Sequence, residues 1–357
     1  MKNKTVLLGM SGGVDSSVAA LILKRQGYNV IGAFMKNFSE SKNRLTGNCA
    51  WKDEREMAKK IALILDIPLV TLDFETEYKK QVIDFMFKAY SQGFTPNPDV
   101  LCNNLIKFPL MWKAARKLGA DYIATGHYAR IKKTAKGYEL FAGKDKTKDQ
   151  SYFLSKLKQE DLSHTLFPIG ELMKKDIRNT AKKNKFPNFD KLGTRGICFI
   201  GKVNLRNFLG QKIKEKKGNI VDVNGNIVGK HPGIFYFTIG QRVGERLGFE
   251  LNKHLNGKWY VAEKRKNNVI VVAPQGHPAL KKKIIKIKEM HFINPQEKIK
   301  KNLKARIRHL GELHCGELLK KGNYSFVFKK PVEQIAEGQF IVLYEGERVV
   351  GGGEIRV

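Results

Sequence analysis

Residues 9–17 read Gly-Met-Ser-Gly-Gly-Val-Asp-Ser-Ser. They stand between an apolar run, TVLLGM at 5–10, and a run with helical spacing, Val18, Ala19, Leu21 and Ile22. A glycine-rich turn joining a buried strand to a helix restricts the fold more than any other stretch of this chain. Its glycines let the backbone approach an anion closely, and the unbonded N–H groups of the helix start point at it. Ser11 and Ser16 add hydroxyl donors, whereas Asp15 repels phosphate unless Mg²⁺ lies between the two charges. The turn has neither the GK[ST] of a Walker loop nor the GxGxxG of a dinucleotide fold. An ordinary glycine-rich turn without a ligand is the other reading of the same residues.

The segments behind the turn repeat its logic. YNVIGAFM at 28–35 reads as a second strand. Met57, Ala58, Ile61, Ala62 and Leu65 follow helical spacing up to Pro68, residues 69–74 form a strand, 76–91 a helix and 120–125 another strand. Strands alternating with helices predict βαβ units and a mostly parallel sheet. After about residue 200 the pattern changes. One helical stretch at 203–213 precedes short β-like runs broken by turn signals such as Asn224-Gly225. No period of 20–50 residues repeats. The 357 residues therefore divide into an α/β domain at 1–200 and β-rich domains at 201–277 and 278–357.

Charge is unevenly spread. Residues 1–100 carry a net +3, residues 101–300 a net +26 and residues 301–357 a net +3. A surface of that sign attracts a polyanion and favours nucleic acid. With 51 Lys against 15 Arg, drift toward lysine codons accounts for the same count. No run approaches the ~20 apolar residues of a membrane span, and the loop beginning at Gly9 occupies the room a secretory or mitochondrial leader would need. The expectation is a cytoplasmic, monomeric protein. Cys49, Cys102, Cys198 and Cys315 contain no CxxC pair, so neither a disulfide scaffold nor a zinc or iron–sulfur site is expected, and no metal-ligating residue is assigned.

Two of the thiols lie in unusual settings. In Thr95-Pro-Asn-Pro-Asp-Val-Leu-Cys-Asn-Asn104, two prolines hold the backbone out of a helix around Asp99 and Cys102. Cys198 lies between glycines in Gly196-Ile-Cys-Phe-Ile-Gly201. Taken singly, each reads as a small buried residue. An activated carbonyl can be attacked by a sulfur nucleophile, and if that sulfur arrives as a persulfide on one cysteine, a second thiol must release it by forming a disulfide. His127, at a strand end, suits either a contact near a nucleotide or a structural role.

The SGGVDS string resembles the PP-loop of ATP pyrophosphatases, which split ATP between its α- and β-phosphates. That likeness implies an N-terminal parallel-sheet domain of the adenine nucleotide alpha hydrolase type. SGGVDSS, FMKN, PNPDVLCN, ATGHYAR, KDQSYFL, GICFIG, YFTIGQR, GQFIVLY and GGGEI occur in order along the chain. Together they resemble the bacterial tRNA-specific 2-thiouridylase family. The resemblance implies ATP-dependent 2-thiolation of the tRNA wobble uridine at position 34, by adenylation of its C2 oxygen and sulfur transfer from a Cys198 persulfide. AMP is released and a Cys102–Cys198 disulfide remains.

The same resemblance makes Asp99 the acid/base. It assigns ATP, with Mg²⁺, to Gly9, Met10, Ser11, Gly12, Gly13, Val14, Asp15, Ser16, Met35 and Gly126. It assigns tRNA contacts to Asn97, Pro98, Asp99, Lys148, Asp149, Gln150, Arg308 and His309. It names a cysteine desulfurase or sulfur-carrier protein as the persulfide donor. The chain departs from the family pattern in having Gly193-Thr194-Arg195 where Asp-Ser is usual, His309 where Tyr follows Arg, and Pro109 where Gly follows Phe. Two rival functions are an amide-forming ligase of the argininosuccinate-synthetase type, which needs neither cysteine, and a nucleic-acid-binding protein without catalysis.

Overall fold

The alternation of Val6 and Leu8 toward one side and Leu7 toward the other places the first strand in the middle of two apolar layers. In a computed structural model, which describes residues 4–39, 50–191, 205–252, 255–298 and 301–357, that strand is β1 (Thr5–Gly9). It pairs in parallel with β2 (Asn29–Lys36) and β4 (Tyr122–Ala124). Beyond β2 lies β3 (Leu69–Asp73). Between β4 and β7 (Thr165–Leu166), the other edge of the sheet, a hairpin of β5 (Ala129–Thr134) and β6 (Gly137–Ala142) leaves for a different sheet. Helices α1 (Val14–Arg25) and α2 (Ala50–Leu65) help cover one face, and a helix at Phe108–Lys117 helps cover the other. The expected parallel α/β architecture is present.

The central sheet has the order β10-β9-β8-β12-β11, from β8 (Gly218–Val221), β9 (Ile227–His231), β10 (Glu250–Leu251), β11 (Trp259–Arg265) and β12 (Val269–Pro274). Its Asn224-Gly225 turn forms as expected. Gly225 adopts φ +89°, and the Asp222 carboxylate accepts from the Asn224 and Asn226 amides at 2.9 Å each.

The C-terminal strands are β13 (Lys281–Phe292), β14 (Leu303–Arg306), β15 (His314–Lys321), β16 (Asn323–Glu333), β17 (Phe340–Glu345) and β18 (Arg348–Arg356). They run in the order β13-β16-β15-β14-β17-β18, and β13 also pairs with β18, so six strands close into a barrel. The β5–β6 hairpin joins this barrel through pairing of β6 with β18. The sequence reading did not anticipate it.

Two polar contacts lock the barrel to the first sheet. Asp149, completely buried, receives the Arg306 guanidinium at 2.5 Å and the amides of Gly143 and Ser151 at 3.0 and 3.1 Å. The Gln339 carboxamide donates to the Thr95 and Pro96 carbonyls (2.9 and 3.2 Å) and accepts from the Asn97 amide group at 3.1 Å. Among the described residues no helix is long and apolar enough to cross a membrane. Arg306→Ala strands a buried carboxylate, a loss of about 3–5 kcal/mol. Denaturant unfolding of that variant is expected well below the wild-type midpoint, and an unchanged midpoint would contradict the role given to the pair.

Candidate functional site

The glycine-rich turn is built by close backbone approach. Gly12 has φ +71°, and a Cβ there would lie 2.3 Å from the Glu54 carbonyl oxygen of α2. A Cβ on Gly126 would lie 2.9 Å from the Ser16 amide, so the β4 end rests directly on the first turn of α1. Gly13 stands at the N-cap of α1 in extended conformation with no side-chain cap, which leaves the helix-start amides to a ligand. Ser16 Oγ donates to the Gly13 carbonyl at 3.0 Å, and buried Asn188 donates to the Gly12 carbonyl and to Ser17 Oγ at 3.0 Å each. Met10 and Val14 are buried in the core, so toward a nucleotide these two offer only backbone. Met35 packs over Gly9, 3.3 Å from where a Cβ would sit.

Asp15 is not an isolated charge. Lys174, the first residue of a helix at Lys174–Lys183, places its ammonium 2.6 and 2.8 Å from the two carboxylate oxygens, and the Tyr128 hydroxyl donates at 2.6 Å. Burial, reinforced by the Asp15 charge, pushes the Tyr128 phenol far up, so it stays a neutral donor. Neither partner was found from sequence. Lys174 is one lysine among 51 with no spacing signal, and Tyr128 sits inside ATGHYAR without an ionic cue.

The Pro-rich segment holds its own residues together. Asn97 accepts from the Val100 amide at 3.2 Å and caps a short helix, Pro98–Leu101, with Pro98 in its first turn. Cys102, with no exposed surface, opens a wide π-type turn at Cys102–Lys107. It packs in a cluster with Phe38, Tyr78, Ile106, Phe208 and Phe235. Half-buried Asp99 offers its carbonyl to Asn103 Nδ2 at 2.9 Å. Cys198 and the Gly193–Arg195 departure lie outside the described residues, as does Cys49. Cys315 is exposed on β15.

His127 is buried between these two parts. Its Nδ1 lies 2.7 Å from Thr125 Oγ1 and its Nε2 3.5 Å from the Lys107 ammonium. Burial, then the Lys107 charge, holds its pKa well below the usual histidine range. A lysine can only donate, so the neutral ring accepts at Nε2 and keeps its proton at Nδ1. It ties the turn after Cys102 to the end of β4.

The expected tRNA contacts divide. Lys148 is exposed. Asp149 is enclosed and saturated by Arg306 and two amides, so its side chain pins the framework and offers no surface to RNA, a correction to the sequence reading. Gln150 accepts from the Tyr128 amide at 3.0 Å and so links this segment to the partner of Asp15. Arg308 is exposed and donates to Gln334. His309 lies against the Phe153 ring, centroids 4.3 Å apart, and its Nδ1 is buried without a partner.

Family models match the whole length: the tRNA methyl transferase HUP domain over residues 4–202, the tRNA methyl transferase PRC-barrel domain over 206–274 and the aminomethyltransferase beta-barrel domain over 282–355. The tRNA-specific 2-thiouridylase MnmA 2 of Aliarcobacter butzleri (strain RM4018) is 40% identical over 364 residues, covering 99% of this chain and 98% of that protein. The tRNA-specific 2-thiouridylase MnmA of Nitrosomonas europaea is 41% identical over 360 residues, with 99% of both covered. The chain belongs to the tRNA-specific 2-thiouridylase family. A solved 4-thiouridine synthetase–RNA complex with bound ATP is 14% identical with a TM-score of 0.39, covering 58% of this chain and 50% of that one.

Two departures from the 2-thiouridylase pattern have a local account. Pro109 falls in the first turn of the helix at Phe108–Lys117, directly after the wide turn, where a missing N–H costs least. His309 fills the place of the family's Tyr as a half-buried ring. Burial pushes its pKa down to about 4, against 6.5 for a free imidazole. The folded form therefore stays neutral where the unfolded chain takes a proton. Its contribution is complete above about pH 6.5 and is lost as the pH falls from there toward 4. Between pH 7.5 and pH 5 the urea midpoint of the wild type is expected to fall further than that of His309→Phe. Equal falls would contradict this assignment.

Proposed function

We propose that this chain is an ATP-dependent tRNA sulfurtransferase that converts the wobble uridine to 2-thiouridine. The observation that carries the reading is the full-length likeness to the 2-thiouridylases combined with an uncapped, glycine-lined helix start in the same domain as the Asn97–Cys102 segment. The uracil O2 attacks the α-phosphorus of ATP and pyrophosphate leaves. The terminal sulfur of a Cys198 persulfide attacks C2 and AMP leaves. The Cys102 thiolate then attacks the inner sulfur of Cys198, the S–S bond breaks toward the new thiocarbonyl, and a Cys102–Cys198 disulfide remains for an external thiol to reduce. Asp99 moves the proton at the base, beside Asn97 and Pro98. A cysteine desulfurase or sulfur carrier reloads Cys198.

ATP fits the backbone of Gly9–Ser16, with Gly126 closing over Ser16 and Met35 beneath. Lys174 already neutralises Asp15 and is placed to turn toward the leaving pyrophosphate. For Mg²⁺ the donor set is one carboxylate, Asp15, together with phosphate oxygens, the kind of site this ion accepts. Among the described residues no cluster of three His, Cys, Asp or Glu side chains offers an all-protein site. Bound there, Mg²⁺ would supply charge neutralisation at the phosphates. Segment 1–200 carries the chemistry, while 201–277 and 278–357 hold tRNA through Lys- and Arg-rich surfaces that include Arg308. The protein acts as a cytoplasmic monomer.

On a gel that retards thiolated tRNA, wild type with ATP, Mg²⁺ and a sulfur donor is expected to shift the substrate, and Cys198→Ala and Cys102→Ala are not. Full activity of Cys198→Ala would overturn the persulfide role. A wild type that thiolates no tRNA, with ATP-dependent pyrophosphate release on a small acid that both cysteine variants keep, would favour an amide-forming ligase. Lys174→Ala is expected to slow tRNA-dependent pyrophosphate release about 10²–10³-fold, as loss of one charge-stabilising donor does. An unchanged rate would remove Lys174 from the reaction.

A further inference from the structure

Uracil and cytosine carry the same C2 carbonyl, so chemistry at C2 does not itself separate them. They differ at N3, an N–H donor in uracil and a lone pair in cytosine, and at C4, a carbonyl against an amino group. A uridine-specific enzyme therefore needs an acceptor facing N3 and a donor facing O4.

Two buried carboxamides have these groups to spare. Asn37 follows β2 directly, is 1% exposed, and has neither Nδ2 nor Oδ1 hydrogen-bonded. Asn103 follows Cys102, is 3% exposed, spends Nδ2 on the Asp99 carbonyl at 2.9 Å and leaves Oδ1 without a partner. Each buried polar atom left unpaired costs about 1–3 kcal/mol, so native chains keep few of them. Their positions converge. Met35, two residues before Asn37, packs with Val100 and Phe108. Phe38, one residue after it, packs with Cys102 and Ile106. The residues on either side of Asn37 thus share two apolar cores with the segment that carries Asn103. Asn37 lies at the carboxyl end of the sheet, beside the β1 end from which the glycine turn opens, where ligands of parallel α/β folds bind.

We propose that, before Asp99 takes the N3 proton, Asn103 Oδ1 accepts the N3–H of the entering uracil while Asn37 Nδ2 donates to its O4, and that this pair selects uridine over cytidine. The inference rests on the thiolation reading and adds the source of its base choice. Asn103 carries the discrimination. Its Nδ2 is held by Asp99, so the amide cannot turn over to offer a donor to the cytosine N3 lone pair. Asn37, with both atoms uncommitted, follows.

The test compares tRNA-dependent pyrophosphate release on two transcripts that differ only in uridine or cytidine at the wobble position, using wild type, Asn103→Ala, Asn103→Asp and Asn37→Leu. Wild type is expected to use uridine alone. Asn103→Ala is expected to lower the uridine-to-cytidine ratio of kcat/KM at least about tenfold, and Asn103→Asp, which keeps an acceptor, to retain the preference better. Asn37→Leu removes two unpaired groups, so its melting temperature should hold or rise while the ratio falls. Variants that melt early with an unchanged ratio would give these residues a structural role and overturn the proposal. A wild type that releases pyrophosphate and thiolates both transcripts equally would overturn it while leaving thiolation standing. A wild type inactive on both would remove the thiolation reading and this inference with it.

Discussion

The carboxamide of Gln339 holds the Thr95 and Pro96 carbonyls and the Asn97 side chain from outside their own domain, and the placement of the Cys102 segment depends on that grip. Asn97 ties the stretch forward to Val100, but Pro96 and Pro98 have no N–H to fix its N-terminal side. The barrel supplies the missing partners. The Glu337 carbonyl accepts from the Thr95 amide at 2.9 Å, and Thr238 of the central segment lies 3.3 Å from the Thr95 hydroxyl. Three parts of the chain meet on one strand of backbone. The buried Asp149–Arg306 pair and the β6–β18 pairing make the same junction elsewhere. The position of the barrel is thus tied to that of the segment carrying Cys102.

Electrostatics follow the same division. Near the glycine turn the Asp15 carboxylate is paired with Lys174 and hydrogen-bonded by a neutral Tyr128, so its charge opposes an anion at the helix start less than a bare carboxylate would. The large lysine excess sits in residues 101–300, where it attracts a polyanion without choosing among sequences. Choice of base has to come from buried, oriented polar groups, because only there does a mismatch leave an atom unpaired.

The parts legible in sequence were those with short-range causes. The parallel sheet followed from apolar periodicity, the phosphate-type turn from Gly12 and Gly13, and the Asn224-Gly225 hairpin from its turn chemistry. The expectation that two prolines keep Asp99 and Cys102 out of a helix is corrected: Pro98 starts the helix Pro98–Leu101, where its missing N–H is not needed, and Cys102 opens the wide turn behind it. What escaped was long-range. Nothing local marks Gly137–Ala142 as a partner for a strand more than 200 residues away. The KDQ triplet looks like surface because a charged triplet usually is, yet Arg306, 157 residues distant, converts Asp149 into a buried pin. Lys174 reaches Asp15 across 159 residues. The unpaired Asn37 carboxamide and the unpaired Asn103 Oδ1 are visible only in the folded chain.

The central claim is that the uracil C2 oxygen is activated by ATP and then displaced by sulfur. Tracing oxygen-18 placed at C2 of the wobble uridine tests it most directly, by mass spectrometry of the nucleotide products after a single turnover with ATP and a persulfide donor. The account predicts one oxygen-18 in each AMP released and none in pyrophosphate, with a thiocarbonyl left in the tRNA. Label retained in the tRNA, or AMP formed without it, would contradict the account.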